Sequence, residues 1–122
     1  SLADFGARPI VLNLWASWCP PCRREMPMMA TMAANRADAV FVFANQGEGP
    51  SQVIRYFNDE GLSAEHVALD QSMALARYYG VRGYPATLFI GPDGMLRSLH
   101  FGEISREGLT DAIARLSEEG NA

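Results

Sequence analysis

The feature that most constrains this chain is a pair of cysteines, Cys19 and Cys22, the only two in 122 residues. They follow an apolar run at residues 10–15 that has the composition of a strand buried on both faces. Pro20 and Pro21 separate them, and prolines favour the first positions of a helix. Residues three apart on a helical turn have β-carbons about 5–6 Å apart. The two sulfurs can therefore form and break a disulfide with little backbone movement.

Three other roles for Cys19 and Cys22 compete with thiol-disulfide exchange. A structural disulfide that closes four residues would stabilise the fold by only about 2 kcal/mol, because stabilisation grows with loop length. A zinc site needs about four ligands, yet there is no second cysteine pair, and His66 and His100 lie far from the motif in the sequence. Buried, inert thiols are disfavoured because side chains at the end of an element tend to be exposed. A CxxC motif beside alternating strands and helices thus favours exchange.

The position of each cysteine predicts its role. Cys19 lies near the helix N-cap, where unpaired N–H groups and the helix dipole favour a thiolate, so it is predicted to be the nucleophile. Cys22 lies one turn further on, is expected to be more shielded, and would resolve the mixed disulfide. Pro20 and Pro21 have no N–H to donate. We therefore expect the pKa of Cys19 to be only modestly lowered and the redox potential to be reducing.

Size and charge narrow the class of protein. A chain of 122 residues, 48% of them hydrophobic, suits one globular domain spanning 1–122. The net charge of −4 argues against nucleic acid or an anionic membrane surface as a partner. No apolar run approaches the roughly 20 residues of a membrane span. We expect a monomer.

The order of hydrophobic patterns predicts an α/β fold. A turn or helix fragment is expected at 1–9. The predicted strands are 10–15, 39–45, 66–69, 86–90 and 95–101, and the predicted helices are 20–35, 51–61 capped by Ser51, 71–79 capped by Asp70, and a last helix opened by Ser105. Inward-facing side chains are expected at Val53, Ile54, Phe57, Leu75, Tyr78 and Tyr79. The pattern predicts a mixed central sheet between helices, with the CxxC loop and the loop at 46–50 at one sheet edge.

Several motifs together resemble the thioredoxin fold. They are Trp18-Cys19-Pro20-Pro21-Cys22, Pro27 within the first helix, Tyr84-Pro85 before a strand, and the turn Pro92-Asp93-Gly94. Residues 12–22 and an inserted segment at about 46–70 are similar, more specifically, to the TlpA/ResA/CcmG (DsbE) type of thiol-disulfide reductase. The resemblance runs from about residue 9 to 117. The family usually begins with an N-terminal hairpin that is not found here, so the resemblance implies a thioredoxin-like domain that is either trimmed of this hairpin and of a membrane anchor or divergent at its start. We expect the membrane to be reached only through an anchor outside this chain.

The resemblance also implies a function and a cellular setting. Domains of this type reduce disulfides in specific partner proteins, for example in cytochrome c maturation or metal-site assembly. They work in the periplasm or another extracytoplasmic space and receive electrons from an upstream membrane thiol carrier. The redox-active disulfide of Cys19 and Cys22 would be the only redox group, with no metal and no other cofactor. A thiol oxidase or isomerase, and a non-catalytic client-binding module, are the alternatives.

Further site residues follow from the same resemblance. Pro85 matches the cis-proline of the family, which packs against the CxxC motif and leaves the backbone of Tyr84 free to pair with an extended client. Trp18 and Tyr84, with Pro20 and Pro21, are expected to form the surface on which clients dock around the nucleophile.

One position departs from the cytoplasmic thioredoxins. Those proteins place a buried aspartate where this chain has Asn13, and an amide cannot take up the proton of the second cysteine. Glu48 resembles a glutamate that the family carries in its inserted segment near the disulfide. We expect Glu48 to have a pKa raised by burial and to shuttle the proton of Cys22. A solvated loop acid is the alternative interpretation of Glu48.

Overall fold

A computed structural model describes residues 8–120, so the prediction for residues 1–7 lies outside the described part. The strands are β1 (Ile10–Trp15), β2 (Val40–Gln46), β3 (Val67–Asp70), β4 (Ala86–Ile90) and β5 (Leu96–Phe101). The helices are α1 (Pro20–Asn35), α2 (Pro50–Glu60), α3 (Ala74–Tyr79) and α4 (Arg106–Gly120). The five strands form one sheet in the order β3-β2-β1-β4-β5. Strands β1 to β3 run parallel, whereas β4 and β5 pair antiparallel with their neighbours.

Strand β1 lies at the centre of the sheet because both of its faces are covered. All six of its residues are buried. Val11 and Trp15 belong to the core cluster that contains residues of α1, α2 and α4, whereas Leu12 and Leu14 belong to the cluster on the α3 side. Asn13 shares the face of Val11 and Trp15 because alternate residues of a strand point the same way. The predicted mixed sheet between helices is confirmed.

Helix α2 turns inward most of the face that the sequence predicted, because Val53 is buried and the half-buried Phe57 packs against the same core cluster. Its N-cap is Gly49, two residues before the predicted cap Ser51, and the helix begins at Pro50. Val53 and Tyr56 are buried, but Ile54 is 60% exposed, so the prediction for Ile54 is wrong. The buried residues are three apart, which places them one turn above each other on the same helix face.

Helix α3 is shorter than predicted. The carboxylate of Asp70 accepts the N–H groups of Ala74 and Leu75, so the helix begins at Ala74 and residues 71–73 form a turn. Leu75 and Tyr79 are half-buried and pack against the core cluster on the α3 side, as predicted, and Ala76 is buried in the same cluster. Tyr78 is 79% exposed, and its predicted place in the core is wrong.

One edge of the sheet collects the loops that matter for function. The loops after β1, β2 and β3 leave from the carboxyl ends of parallel strands, and Tyr84-Pro85 reaches the same edge because it precedes the antiparallel β4. Ligands of such sheets bind at this edge. Across residues 8–120, no helix has both the length and the apolar composition needed to cross a membrane.

Candidate active site

Cys19 and Cys22 form a disulfide at the start of α1, with α-carbons 5.2 Å apart. Cys19 is the N-cap residue, as predicted. Because Pro20 and Pro21 have no N–H, the first available donor of the helix is the N–H of Cys22, whose nitrogen lies 3.3 Å from the Cys19 sulfur. The end of the helix therefore offers the sulfur one backbone donor, which stabilises a thiolate modestly.

The solvent exposure expected of Cys19 is not found in the disulfide form. Cys19 is 2% exposed and Cys22 is fully buried. The carbonyl oxygen of Tyr84 lies 3.5 Å from the Cys19 sulfur, and the peptide bond between Tyr84 and the buried Pro85 is cis. The Tyr84-Pro85 segment thus covers the sulfur that was expected to face solvent.

An apolar rim surrounds this covered sulfur. Trp18 is 66% exposed and its ring meets the ring of Tyr84 edge-on, with centroids 6.1 Å apart. Pro20 is exposed, whereas Pro21 and Tyr84 are half-buried. The structure therefore brings the residues expected to form the docking surface together around Cys19. Exposed aromatic rings of this kind are typical anchors of protein interfaces.

Glu48 lies against the loop that leads to Cys19. Its Oε1 accepts the backbone N–H of Ser17 at 2.7 Å and the amide of Asn45 at 2.8 Å, and its Oε2 accepts the Ser17 hydroxyl at 2.5 Å. Burial alone would raise the pKa of Glu48, but the hydrogen bonds from Asn45 and Ser17 outweigh it and hold that pKa below its ordinary value. The expected rise in pKa is therefore wrong. The interpretation as a solvated acid is also wrong, because Glu48 is 7% exposed.

Replacing Glu48 with glutamine should destabilise the protein at neutral pH by about 1–3 kcal/mol, because the new NH₂ group would face the donors of Ser17 and Asn45. A carboxyl group with a lowered folded pKa contributes stability above its unfolded pKa and loses it as pH falls through the folded pKa. Urea unfolding of wild type and Glu48→Gln should show a difference that shrinks on going from neutral pH to about pH 3. A difference that stays constant would contradict this role for the carboxylate.

A second buried acid, Glu25, is not among the residues that the sequence pattern indicated. It lies on α1 one turn after Cys22 and is 2% exposed. Its Oε1 accepts from Nδ2 of Asn13 and its Oε2 from the N–H of Ile104, each at 3.0 Å. Burial raises the pKa of Glu25, and the hydrogen bonds from Ile104 and Asn13 offset this only in part.

The sequence did contain a signal for Glu25. Cys22, Met26 and Met29 mark the inward stripe of α1, and Glu25 falls within the same stripe. A glutamate there is unusual because an ionised carboxylate is costly to bury. Residues three apart on a helix are neighbours, with β-carbons about 5–6 Å apart. A buried acid beside the second cysteine is therefore a candidate for proton transfer.

Within residues 8–120, no group of three or more histidine, cysteine, aspartate or glutamate side chains is arranged to hold a metal ion. The disulfide at the start of α1 is the redox group that these residues present.

Comparison with known proteins adds to this geometry. The model of the AhpC/TSA family matches residues 1–99. The thioredoxin-like protein YneN of Bacillus subtilis is 30% identical over 116 residues, which are 93% of this chain and 68% of that protein. The thiol-disulfide oxidoreductase ResA of Halalkalibacterium halodurans is 27% identical over 97% of this chain and 68% of its own length. The thiol:disulfide interchange protein DsbE of Tatumella citrea is 30% identical over 93% of this chain and 60% of its own length.

Solved structures show the same likeness. A protein from Chlorobium tepidum described as a thiol:disulfide interchange protein DsbE superimposes with a TM-score of 0.83 at 28% identity, over 94% of this chain and 84% of that one. The curated relatives are longer than this chain, which spans between 60% and 68% of the three named above. The chain therefore belongs to the AhpC/TSA family and, within it, to the thioredoxin-fold thiol-disulfide oxidoreductases of the ResA and DsbE type.

Proposed function

We propose that this domain reduces disulfides in specific partner proteins, with Cys19 as the nucleophile. The observation that carries the proposal is the place of the Cys19 sulfur, at the N-cap of α1 and against the carbonyl of Tyr84, within the rim that contains Trp18. A sulfur covered in this way is suited to a protein that docks on the rim. A client would pair its own extended backbone with that of Tyr84 and so bring its disulfide to the Cys19 sulfur.

The reaction proceeds in two exchange steps. The Cys19 thiolate attacks one sulfur of the client disulfide, forms a mixed disulfide and releases the other client sulfur as a thiolate. Cys22 then loses its proton and attacks the Cys19 sulfur, which closes the disulfide of the domain and releases the second client thiolate. Both client thiolates take up protons, and two electrons have passed from the domain to the client. A thiol carrier of the membrane restores the dithiol.

Glu25 is the group that we place as proton acceptor for Cys22. Both side chains are buried on one face of α1, a turn apart, where solvent is excluded from the resolving thiol. The raised pKa makes the Glu25 carboxylate a stronger base than an ordinary carboxylate, which suits it to taking up this proton. Glu48 is less suited, because three donors hold its carboxylate on Ser17 and Asn45. We assign Glu48 to positioning Ser17, two residues before the nucleophile.

For the cellular setting we propose an extracytoplasmic location, with membrane attachment through an anchor outside this chain. A similar solved structure from Streptococcus pneumoniae supports this, because it is described as an exposed lipoprotein thioredoxin; it is 26% identical with a TM-score of 0.78, over 93% of this chain and 89% of that one. The clients we propose are disulfide-bearing proteins such as apocytochromes c or metal-site assembly proteins. We propose a monomer as the working form.

Equilibration with reduced and oxidised glutathione tests the direction of electron flow. Cys19 receives only one backbone donor, so its thiolate is weakly stabilised, and a weakly stabilised dithiol is a better reductant. We expect a midpoint closer to the roughly −270 mV of thioredoxin than to the roughly −120 mV of a dedicated oxidase. A potential near the oxidase value would favour the thiol oxidase alternative and reject the reductase.

A further inference from the structure

The side-chain amide of Asn13 is buried, and of its two polar atoms only the nitrogen is hydrogen-bonded. Its Nδ2 donates to Oε1 of Glu25 at 3.0 Å and to Oγ1 of Thr87 at 3.3 Å. Its Oδ1 is buried and has no hydrogen-bond partner within the described part of the chain. Asn13, Glu25 and Thr87 are each no more than 2% exposed. An unpaired amide oxygen in such a place is costly and calls for an explanation.

The observed contacts suit only one protonation state of Glu25. Its two carboxyl oxygens face the amide of Asn13 and the N–H of Ile104, which are both donors. An ionised carboxylate accepts from both, whereas a protonated carboxyl carries an O–H that needs an acceptor. Burial nevertheless favours the protonated form of Glu25 by raising its pKa. The two states therefore require different partners at the same carboxyl group.

We propose that Asn13 is a positioning residue that serves both protonation states of Glu25 by rotating its side-chain amide. A rotation of about 180° exchanges the donor and acceptor ends of an amide with little change of shape. The unpaired Oδ1 of Asn13 would then accept the O–H of Glu25. The hydroxyl of Thr87 suits either orientation because it both donates and accepts. This inference rests on the proposed function, in which Glu25 takes up the proton of Cys22. Once that proton is on Glu25, Oδ1 of Asn13 is its hydrogen-bond acceptor.

Several other groups face Glu25 and influence its titration. The charged or titratable groups are His100 of β5 and Glu103 of the loop after β5, and Asn13 of β1, with Thr87 of β4 beyond it, is a neutral neighbour. Cys22, one turn earlier on α1, is held in the disulfide and does not titrate. Glu103 adds to the rise in the pKa of Glu25 and His100 opposes it. Glu103 is itself paired with Arg24 at 2.9 Å. A shift of the Glu25 titration alone therefore does not identify the rotating amide, and the test has to observe Asn13 itself.

NMR of the oxidised domain labelled with ¹⁵N and ¹³C provides that observation. The NH₂ resonances of Asn13 should titrate with the same midpoint as the carboxyl carbon of Glu25. In Glu25→Gln the new amide can donate to Oδ1 of Asn13, as the protonated carboxyl does. The Asn13 resonances of this variant should therefore keep their low-pH wild-type values at every pH. Resonances of Asn13 that stay constant through the Glu25 titration, or that still titrate in Glu25→Gln, would overturn the proposal.

Two more variants sharpen the test. Thr87→Val removes the third polar group, and in this variant Asn13 and Glu25 should still titrate with one shared midpoint. If the two midpoints no longer coincide, the coupling belongs to Thr87 and the role of Asn13 is rejected. Asn13→Asp replaces the amide with a second carboxyl group, so the two acids should share one proton. The midpoint at which they release it should lie at least about one pH unit above the midpoint of Glu25 in wild type. An unchanged midpoint would also count against the proposal. These measurements need neither a client nor turnover, so failure of the reductase proposal would leave their outcome unaffected.

Discussion

Replacing Cys22 with serine should convert the domain from a catalyst into a trap for its clients. Cys22 is fully buried beneath the nucleophile, so the step that we assign to it is resolution of the mixed disulfide. Without that step, each Cys19 that attacks a client remains bound to it. Turnover should fall to the uncatalysed rate, and adducts through Cys19 should accumulate to nearly one per domain. Non-reducing electrophoresis and intact-mass measurement detect both results.

Matched serine variants separate the competing functions. Cys19→Ser should form no adducts, because the remaining sulfur at position 22 is shielded. The variant with both cysteines changed to serine should release its clients, because the proposed retention is covalent. If the double variant holds clients as firmly as Cys22→Ser does, the domain is a binding module and not a reductase.

The second large effect is expected from Glu25→Gln. Glutamine cannot take up the proton of Cys22, and general-base catalysis of this kind contributes about 10²–10⁴-fold. Resolution of the mixed disulfide should therefore slow by about 10²-fold at neutral pH. The defect should shrink in alkaline solution, where Cys22 loses its proton without help. Attack by Cys19 on the client should keep its wild-type rate, and stopped-flow single turnovers distinguish the two steps.

Two controls accompany this variant. Glu65→Gln changes an acid whose side chain is 87% exposed and should resolve mixed disulfides at the wild-type rate. The folded pKa of Glu25 is raised, so wild type should lose stability relative to Glu25→Gln as pH rises through that pKa. Unfolding measured across this range confirms that the variant is folded. A resolution rate equal to wild type at every pH would reject Glu25 as the proton acceptor.

Local patterns in the sequence were sufficient for the parts of the fold that depend on neighbouring residues. The buried run of β1, the cysteines three apart and the prolines between them specify a strand, a helix start and a disulfide within 13 residues, 10–22. The inward faces of α2 and α3 were predicted only in part, because Ile54 and Tyr78 are exposed. Neighbouring residues of a helix lie about 100° apart around its axis. Contacts with the rest of the fold therefore decide that Val53 and Tyr79 face the core while Ile54 and Tyr78 face solvent.

The acids of the site depend on contacts that no local pattern contains. Glu25 is held by Asn13 and by Ile104, which is 79 positions away in the chain. Glu48 is held by Ser17, 31 positions away, and this contact helps to reverse the direction of its pKa shift. Residue type and resemblance indicated that an acid lies near the dithiol. Only the packing of β1, α1 and the loop after β5 shows that Glu25, one turn after Cys22, is buried and held by hydrogen bonds.

Alkylation of the reduced, folded domain with iodoacetamide tests most directly whether electrons leave through Cys19. The modified residue is identified by mass spectrometry at a series of pH values. Cys19 should react first, with an apparent pKa below the roughly 8.5 of a free thiol, while Cys22 stays unmodified until the domain is unfolded. Resistance of both cysteines in the folded, reduced domain, or modification of Cys22 before Cys19, would contradict the proposed route of the electrons.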